Sequence, residues 1–245
     1  MDEHPTSWWI HISRTVQECA KHLVNYIPHI VGTPNMAEHK YYMVPRSPYI
    51  NDTCSVITFG IGGDISSEEH IRRALPTCTF LGFDPNSDYK SLFTNVLGGK
   101  YVKAAVAGKT GVNTIMQLGK SDYGAVGKTP VKSVAELIET HHGKDDIIDI
   151  LNIDVEGYEY SIFDSMLTEK IFHNVCQFNV EIHPPWFHDT GYSYYDVIKV
   201  FRKLIQEGTF VWVQSTQHSD QFYPSYFVNV KNNICIEKYL KGRLF

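Results

Sequence analysis

Two pairs of polar residues could do chemistry: Asp154 and Glu156 at the end of the β-branched run Ile147–Ile153, and Glu181 and His183 at the end of Phe178–Ile182. Alternate residues of an extended chain point to one side, so each pair presents its groups together. Open α/β sheets bind ligands outside the carboxyl ends of their strands, which is where both pairs fall. Carboxylates beside an imidazole can take up a proton near neutral pH, and His183 is the expected base, with Glu156 as second choice and Asp154 beside them. The same four residues, Asp154, Glu156, Glu181 and His183, are candidate ligands for a hard divalent cation that would acidify a bound hydroxyl. Gly157 allows a sharp turn after the first pair. Pro184-Pro185-Trp186-Phe187-His188 follows the second as a rigid aromatic loop, so Glu181, Trp186 and Phe187 are the expected contacts to an acceptor, with residues of the segment before Asp52 helping to shape its pocket. The plainer alternatives are a helix cap for Asp154 or Glu156, a lysine pair for Glu181 and a satisfied polar residue for His183.

A second constellation lies upstream. Ser55–Phe59 reads as a buried strand running into Gly60-Ile61-Gly62-Gly63-Asp64, then a helix whose expected capping box is Ser66 with Glu69. The next apolar run, Thr79–Phe83, ends in Asp84. Strand, glycine turn, helix, strand and acid form the unit that binds an adenine ribose: Gly60, Gly62 and Gly63 admit the ligand to the backbone, and Asp84 takes the ribose hydroxyls. Its plainer reading is an Asp-Pro turn. Ile65 stands where a dinucleotide fingerprint has its third glycine, and Asp64 would repel a pyrophosphate. A cofactor with adenosine at one end and a free amino acid at the other fits better, namely S-adenosylmethionine, with Asp64 or Glu69 meeting its ammonium.

The elements that position these residues follow from periodicity. Strands are predicted over 55–59, 79–83, 101–106, 148–154, 177–183, 209–215 and 224–230, and helices over 67–75, 133–142, 158–170 and 194–206, with Ser133 and Ser193 as N-caps. This alternation implies a parallel sheet covered on both faces. The last two strands lack a helix between them, so one strand runs antiparallel in a C-terminal hairpin. Trp9, Ile12, Val16, Cys19, Leu23 and Ile27 recur at helical spacing before Pro28, and 28–52 reads as loop. Residues 1–52 are therefore expected to form a helical cap and strap on one domain, with 53–245 as its Rossmann-like body.

The 245 residues, 43% hydrophobic and 20% charged, suit one α/β domain. A net charge of −5 without a basic cluster speaks against a nucleic-acid partner. No apolar stretch is long enough to span a membrane, and the N-terminus lacks a signal peptide's pattern, so a cytoplasmic location is expected, with the secretory pathway as the alternative. The five cysteines are scattered and read as small buried hydrophobes in a reducing compartment. Oligomeric state leaves no sequence signal.

Ile153-Asp154-Val155-Glu156-Gly157-Tyr158-Glu159, with Val131–Leu137 before it and Val180-Glu181-Ile182-His183 after it, resembles the FkbM-type methyltransferases. Phe59–Ser66 and Tyr42-Met43-Val44-Pro45 look closer to an animal branch of methyltransferase-like proteins. The resemblance spans about residues 42–230. It implies a class I methyltransferase fold, S-adenosylmethionine as cofactor and methyl transfer to a hydroxyl oxygen of a sugar or other small polar acceptor. One departure is that Thr58-Phe59 stands where many class I enzymes carry the acid that holds the cofactor's amino group. The rival readings are a nicotinamide-dependent oxidoreductase and a non-catalytic scaffold that keeps the fold.

Overall fold

A computed structural model describes residues 5–26, 30–35, 38–118, 123–187, 191–218 and 222–243. In chain order the elements are α1 (Pro5–Tyr26), the hairpin β1 (Ile30–Asn35) and β2 (Glu38–Met43), β3 (Cys54–Phe59), α2 (Ser66–Ala74), β4 (Cys78–Asp84), β5 (Lys100–Lys103), β6 (Ala105–Ala107), β7 (Gly111–Leu118) and β8 (Tyr123–Ser133). There follow α3 (Val134–His141), β9 (Ile150–Ile153), α4 (Glu159–Thr168), β10 (Gln177–Ile182), α5 (Tyr194–Gln206), β11 (Phe210–Ser215) and β12 (Tyr223–Asn229).

Seven strands form the main sheet in the order β11-β12-β10-β9-β3-β4-β5. Only β12 is reversed, antiparallel to β10 and β11, while the other neighbours run parallel. That order, with its reversed penultimate strand, is the class I methyltransferase fold. The order in which strands are added reverses between the parallel neighbours β3 and β9, and the crevice there is where such sheets bind ligands. Buried apolar residues of α1, α3, α4 and α5 fill one face, among them Trp9, Leu137, Phe163 and Phe201. The other face is covered by α2, the β1–β2 hairpin and the C-terminal segment.

The structure departs from the sequence expectations in five places. Residues 30–43, read as loop, are a hairpin. Its outer strand is fixed by long-range side chains: Gln177 Oε1 accepts from the Met43 N–H at 2.7 Å, and Asn179 Oδ1 from the Tyr41 N–H at 2.7 Å. The single strand expected over 101–106 breaks at Ala104, whose N–H turns to the Asp84 carbonyl at 3.2 Å. Beyond the break β6 joins β8 and β7 in a separate three-stranded sheet that sequence periodicity did not announce. At α2 the Ser66–Glu69 capping box does not form. Asp64 Oδ1 accepts from the Ser66 N–H at 2.8 Å and hydroxyl at 2.5 Å, which makes Ser66 the first helical residue. In α1 it is Ala20, and not the exposed Cys19, that continues the buried stripe of Trp9, Ile12 and Val16. The Leu23 side chain, Ile27, Pro28 and His188 lie outside what is described.

The fifth departure concerns the cysteines. Cys54–Cys78 and Cys176–Cys235 are disulfides, the first joining the starts of β3 and β4, the second tying β10 to the C-terminal segment. Their partners meet only through the fold, so no spacing in the sequence marks them. No helix among the described residues is long and apolar enough to cross a membrane.

Candidate active site

The ends of β4, β3, β9 and β10 open into a cavity of about 310 Å³. At β3, Gly60 has φ 78°, and a Cβ there would lie 1.7 Å from the Asp154 carbonyl oxygen, so no other residue lets these two strand ends approach so closely. Gly60, Gly62, Gly63 and Asp64 all line the cavity. Asp84, at the end of β4, lines the cavity and makes the turn of its plainer reading. Oδ1 accepts from the Asn86 N–H at 2.7 Å, closing an Asp-Pro turn, while Oδ2 accepts from the N–H groups of Ile61 at 2.8 Å and Gly62 at 3.3 Å. Burial pushes its carboxyl above the usual range, opposed by these three backbone donors. The second sheet closes this end with apolar groups, including Val106 and Ile115, and Tyr158 joins them from the start of α4.

On the far side of Gly60 stand the two predicted pairs. Asp154, Glu156 and Glu181 line the cavity. His183 lies just behind them, 2% exposed, with Nε2 3.2 Å from Glu156 Oε2 and 3.3 Å from Glu181 Oε1. Its Nδ1 is 2.9 Å from Oε1 of Glu159, which is fully buried and also accepts from the N–H groups of Val155 and Gly157. Burial alone would lower the imidazole pKa, but these carboxylates hold it well above its ordinary value. Glu156 has φ 54°, a left-handed conformation that a non-glycine residue adopts at a cost of about 1–3 kcal/mol and that recurs at functional sites. Asp154 and Glu181 are hydrogen-bonded to each other. Burial and the neighbouring carboxylates raise Asp154, whereas at Glu181 the adjoining His183 outweighs burial and holds the carboxyl low.

Besides His183, three predicted site residues are not brought into the cavity. Glu69 faces outward toward Arg73 at 3.5 Å. Trp186 is 59% exposed, and Phe187 packs its ring 4.7 Å from that of His183, behind the wall. The aromatic residues lining the cavity are instead Phe83, Tyr89, Tyr158 and Phe222. The sequence reading also missed Glu38 and Lys40, carried by β2, and Glu68. Glu68 is buried beneath the glycine turn, with Oε1 accepting from Thr58 Oγ1 at 3.0 Å and Asn152 Nδ2 at 2.9 Å. Thr58, in place of the usual acid, thus presents a neighbouring helix's carboxylate.

The family model described as the methyltransferase FkbM domain matches residues 18–210. The chain belongs to the FkbM methyltransferases. No curated protein sequence matches it. Among solved structures, this FkbM domain is similar to a fibrillarin pre-rRNA processing protein of Methanococcus jannaschii, at 8% identity and TM-score 0.43 over 80% of this chain and 81% of that one. Aeropyrum pernix fibrillarin, crystallised with natively bound S-adenosyl-L-methionine, gives 11% identity and TM-score 0.41 over 83% and 86%. A putative rRNA methylase of Clostridium thermocellum gives 12% and 0.42 over 76% and 94%. In this FkbM domain, Asp154, Val155, Glu156 and Glu159 fall on the turn from β9 into α4, and that turn carries three of the four carboxylates around His183.

Proposed function

We propose that this FkbM protein transfers a methyl group from S-adenosylmethionine to a hydroxyl oxygen of a sugar or other small polar acceptor. The observation that carries the reading is one cavity running from the glycine turn and Asp84 to the carboxylates at the ends of β9 and β10. The first end suits an adenine ribose. The second suits a neutral polyol, because Glu38, Asp154, Glu156 and Glu181 can accept its hydroxyls and would repel a phosphorylated acceptor. S-adenosylmethionine supplies an electrophilic methyl sulfonium when bound.

The chain's own part is to align the acceptor oxygen and remove one proton. The base role passes from His183 to Glu156. His183 lies behind the cavity with a carboxylate at each ring nitrogen and is held protonated, whereas Glu156 lines the cavity. His183 then acts as a positioning residue that holds Glu156 in place and favours the ionised form of Glu181. A divalent cation is the second reading of this cluster. Ligand atoms of Asp154, Glu156 and His183 lie within 4.8 Å of one another, and Asp154 Oδ1 is buried without a hydrogen-bond partner. Those residues would hold a hard ion, with Glu181 beside it, and the ion would lower the acceptor hydroxyl's pKa. The two disulfides favour an oxidising compartment over the cytoplasm.

Calorimetric titration with S-adenosylhomocysteine, with NAD as control, tests the cofactor. Binding of the former alone supports the reading. Binding of NAD alone turns it to an oxidoreductase, and binding of neither to a scaffold. Labelled-methyl transfer to a panel of polyols and glycans, with and without chelator, then tests acceptor and metal.

A further inference from the structure

Lys40 is 7% exposed, lines the cavity, and is the only basic side chain among the described residues that does so. Its place follows from the row Gln177, Asn179 and Glu181, alternate residues of β10 that share one face. The first two bind the backbone of β2 at Met43 and Tyr41. The third reaches the cavity, where Glu38 and Lys40 arrive from the same strand. Glu38, Lys40 and Tyr42 alternate along β2 toward α2, where the Tyr42 hydroxyl meets His70 Nδ1 at 3.2 Å. Lys40 therefore stands between α2 and the ends of β9 and β10, amid Glu68, Glu38, Asp154 and Glu181. None of the ion pairs among the described residues includes it, so a buried ammonium is surrounded by carboxylates without being closed onto one. Those carboxylates keep it charged, although burial alone would lower its pKa.

An ammonium so placed meets an anion of the ligand. The proposed methyl donor carries two positive groups, its sulfonium and its ammonium, and one negative group, its carboxylate. A cavity with one lysine among several carboxylates matches that distribution. Asp84 lies across Gly60, on the β4 side of the crevice, and takes the opposite, ribose end. We propose that Lys40, backed by Glu68, binds the carboxylate of the cofactor's amino-acid end through a charge-assisted hydrogen bond. This assignment rests on the methyl-donor reading and adds its missing contact.

The test is a cycle of calorimetric titrations. Wild type, Lys40→Met and Lys40→Arg are each titrated with S-adenosylhomocysteine and with its decarboxylated analogue, which lacks only that group. The expected result is that loss of the carboxylate weakens wild-type binding about tenfold or more. Lys40→Met binds S-adenosylhomocysteine correspondingly less well, binds the analogue as the wild type does, and hardly distinguishes the two. Lys40→Arg retains part of the discrimination. The proposal is overturned if Lys40→Met discriminates as the wild type does, or if it weakens both ligands equally while melting normally. Should methionine unfold the chain, Lys40→Gln carries the same comparison. A wild type that binds neither ligand refutes the methyl-donor reading itself, and an outcome confined to the variants refutes only the role of Lys40.

Discussion

Asp84 Oδ2 accepts the Ile61 N–H at 2.8 Å, so the acid at the end of β4 braces the glycine turn at the end of β3. One carboxylate thus shapes the turn and faces the cavity. Asp84→Ala is expected to weaken S-adenosylhomocysteine binding by about 1.5–3 kcal/mol, the range for a hydrogen bond to a charged group. Calorimetry decides this, and unchanged affinity removes Asp84 from the ribose site.

The same residue predicts a pH dependence of opposite sign for stability and for binding. Burial raises its carboxyl pKa above the ordinary 3.8. Between the two values the folded chain holds more protons than the unfolded one, so this group's contribution to stability declines as pH rises through that window. Ligand binding, which needs the carboxylate, should strengthen over the same rise. Melting and titration series on wild type and Asp84→Asn check both, and the variant should show neither trend.

Glu156→Gln keeps the shape of the side chain and removes its capacity as a base. Turnover is expected to fall about 100-fold or more, the usual contribution of a general base, while S-adenosylhomocysteine affinity stays near that of wild type. A single-turnover assay separates the two quantities. Turnover within a few-fold of wild type would move the proton to another group.

Reduction should destabilise the protein markedly. By loop length, Cys54–Cys78 and Cys176–Cys235 are each worth about 3–4 kcal/mol in the chain-entropy account. Peptide mapping without reductant should recover these two pairs and leave Cys19 as the free thiol. Protein from an oxidising host that contains four free thiols at these positions would contradict the pairing.

The main sheet was legible because its strands are apolar runs ending in glycine or acid: Ser55–Phe59, Thr79–Phe83 and Phe178–Ile182 all lie within observed strands. The hairpin β1–β2 was not legible, since the side chains of Gln177 and Asn179, more than a hundred positions away, hold it in place. Glu68 was passed over for Glu69 on account of a capping box. With Asp64 at the helix entry, one residue further along the helix turns Glu69 to solvent and Glu68 inward. Asp154, Glu156, Glu181 and His183 were found because strand alternation places them. The protonated state of His183 was hidden because Glu159 reaches it from the next helix.

The strap over the cavity is held through its backbone at Tyr41 and Met43 and by Thr33 and Tyr42, which bond Ser67 and His70 of α2. Its position is therefore largely indifferent to what stands at Asn35 and Glu38, both of which line the cavity. Such a hairpin is a natural place for redesign, because these cavity residues can change without rebuilding the sheet. A saturation library at these two positions offers a direct route to changing which acceptor the methyltransferase takes.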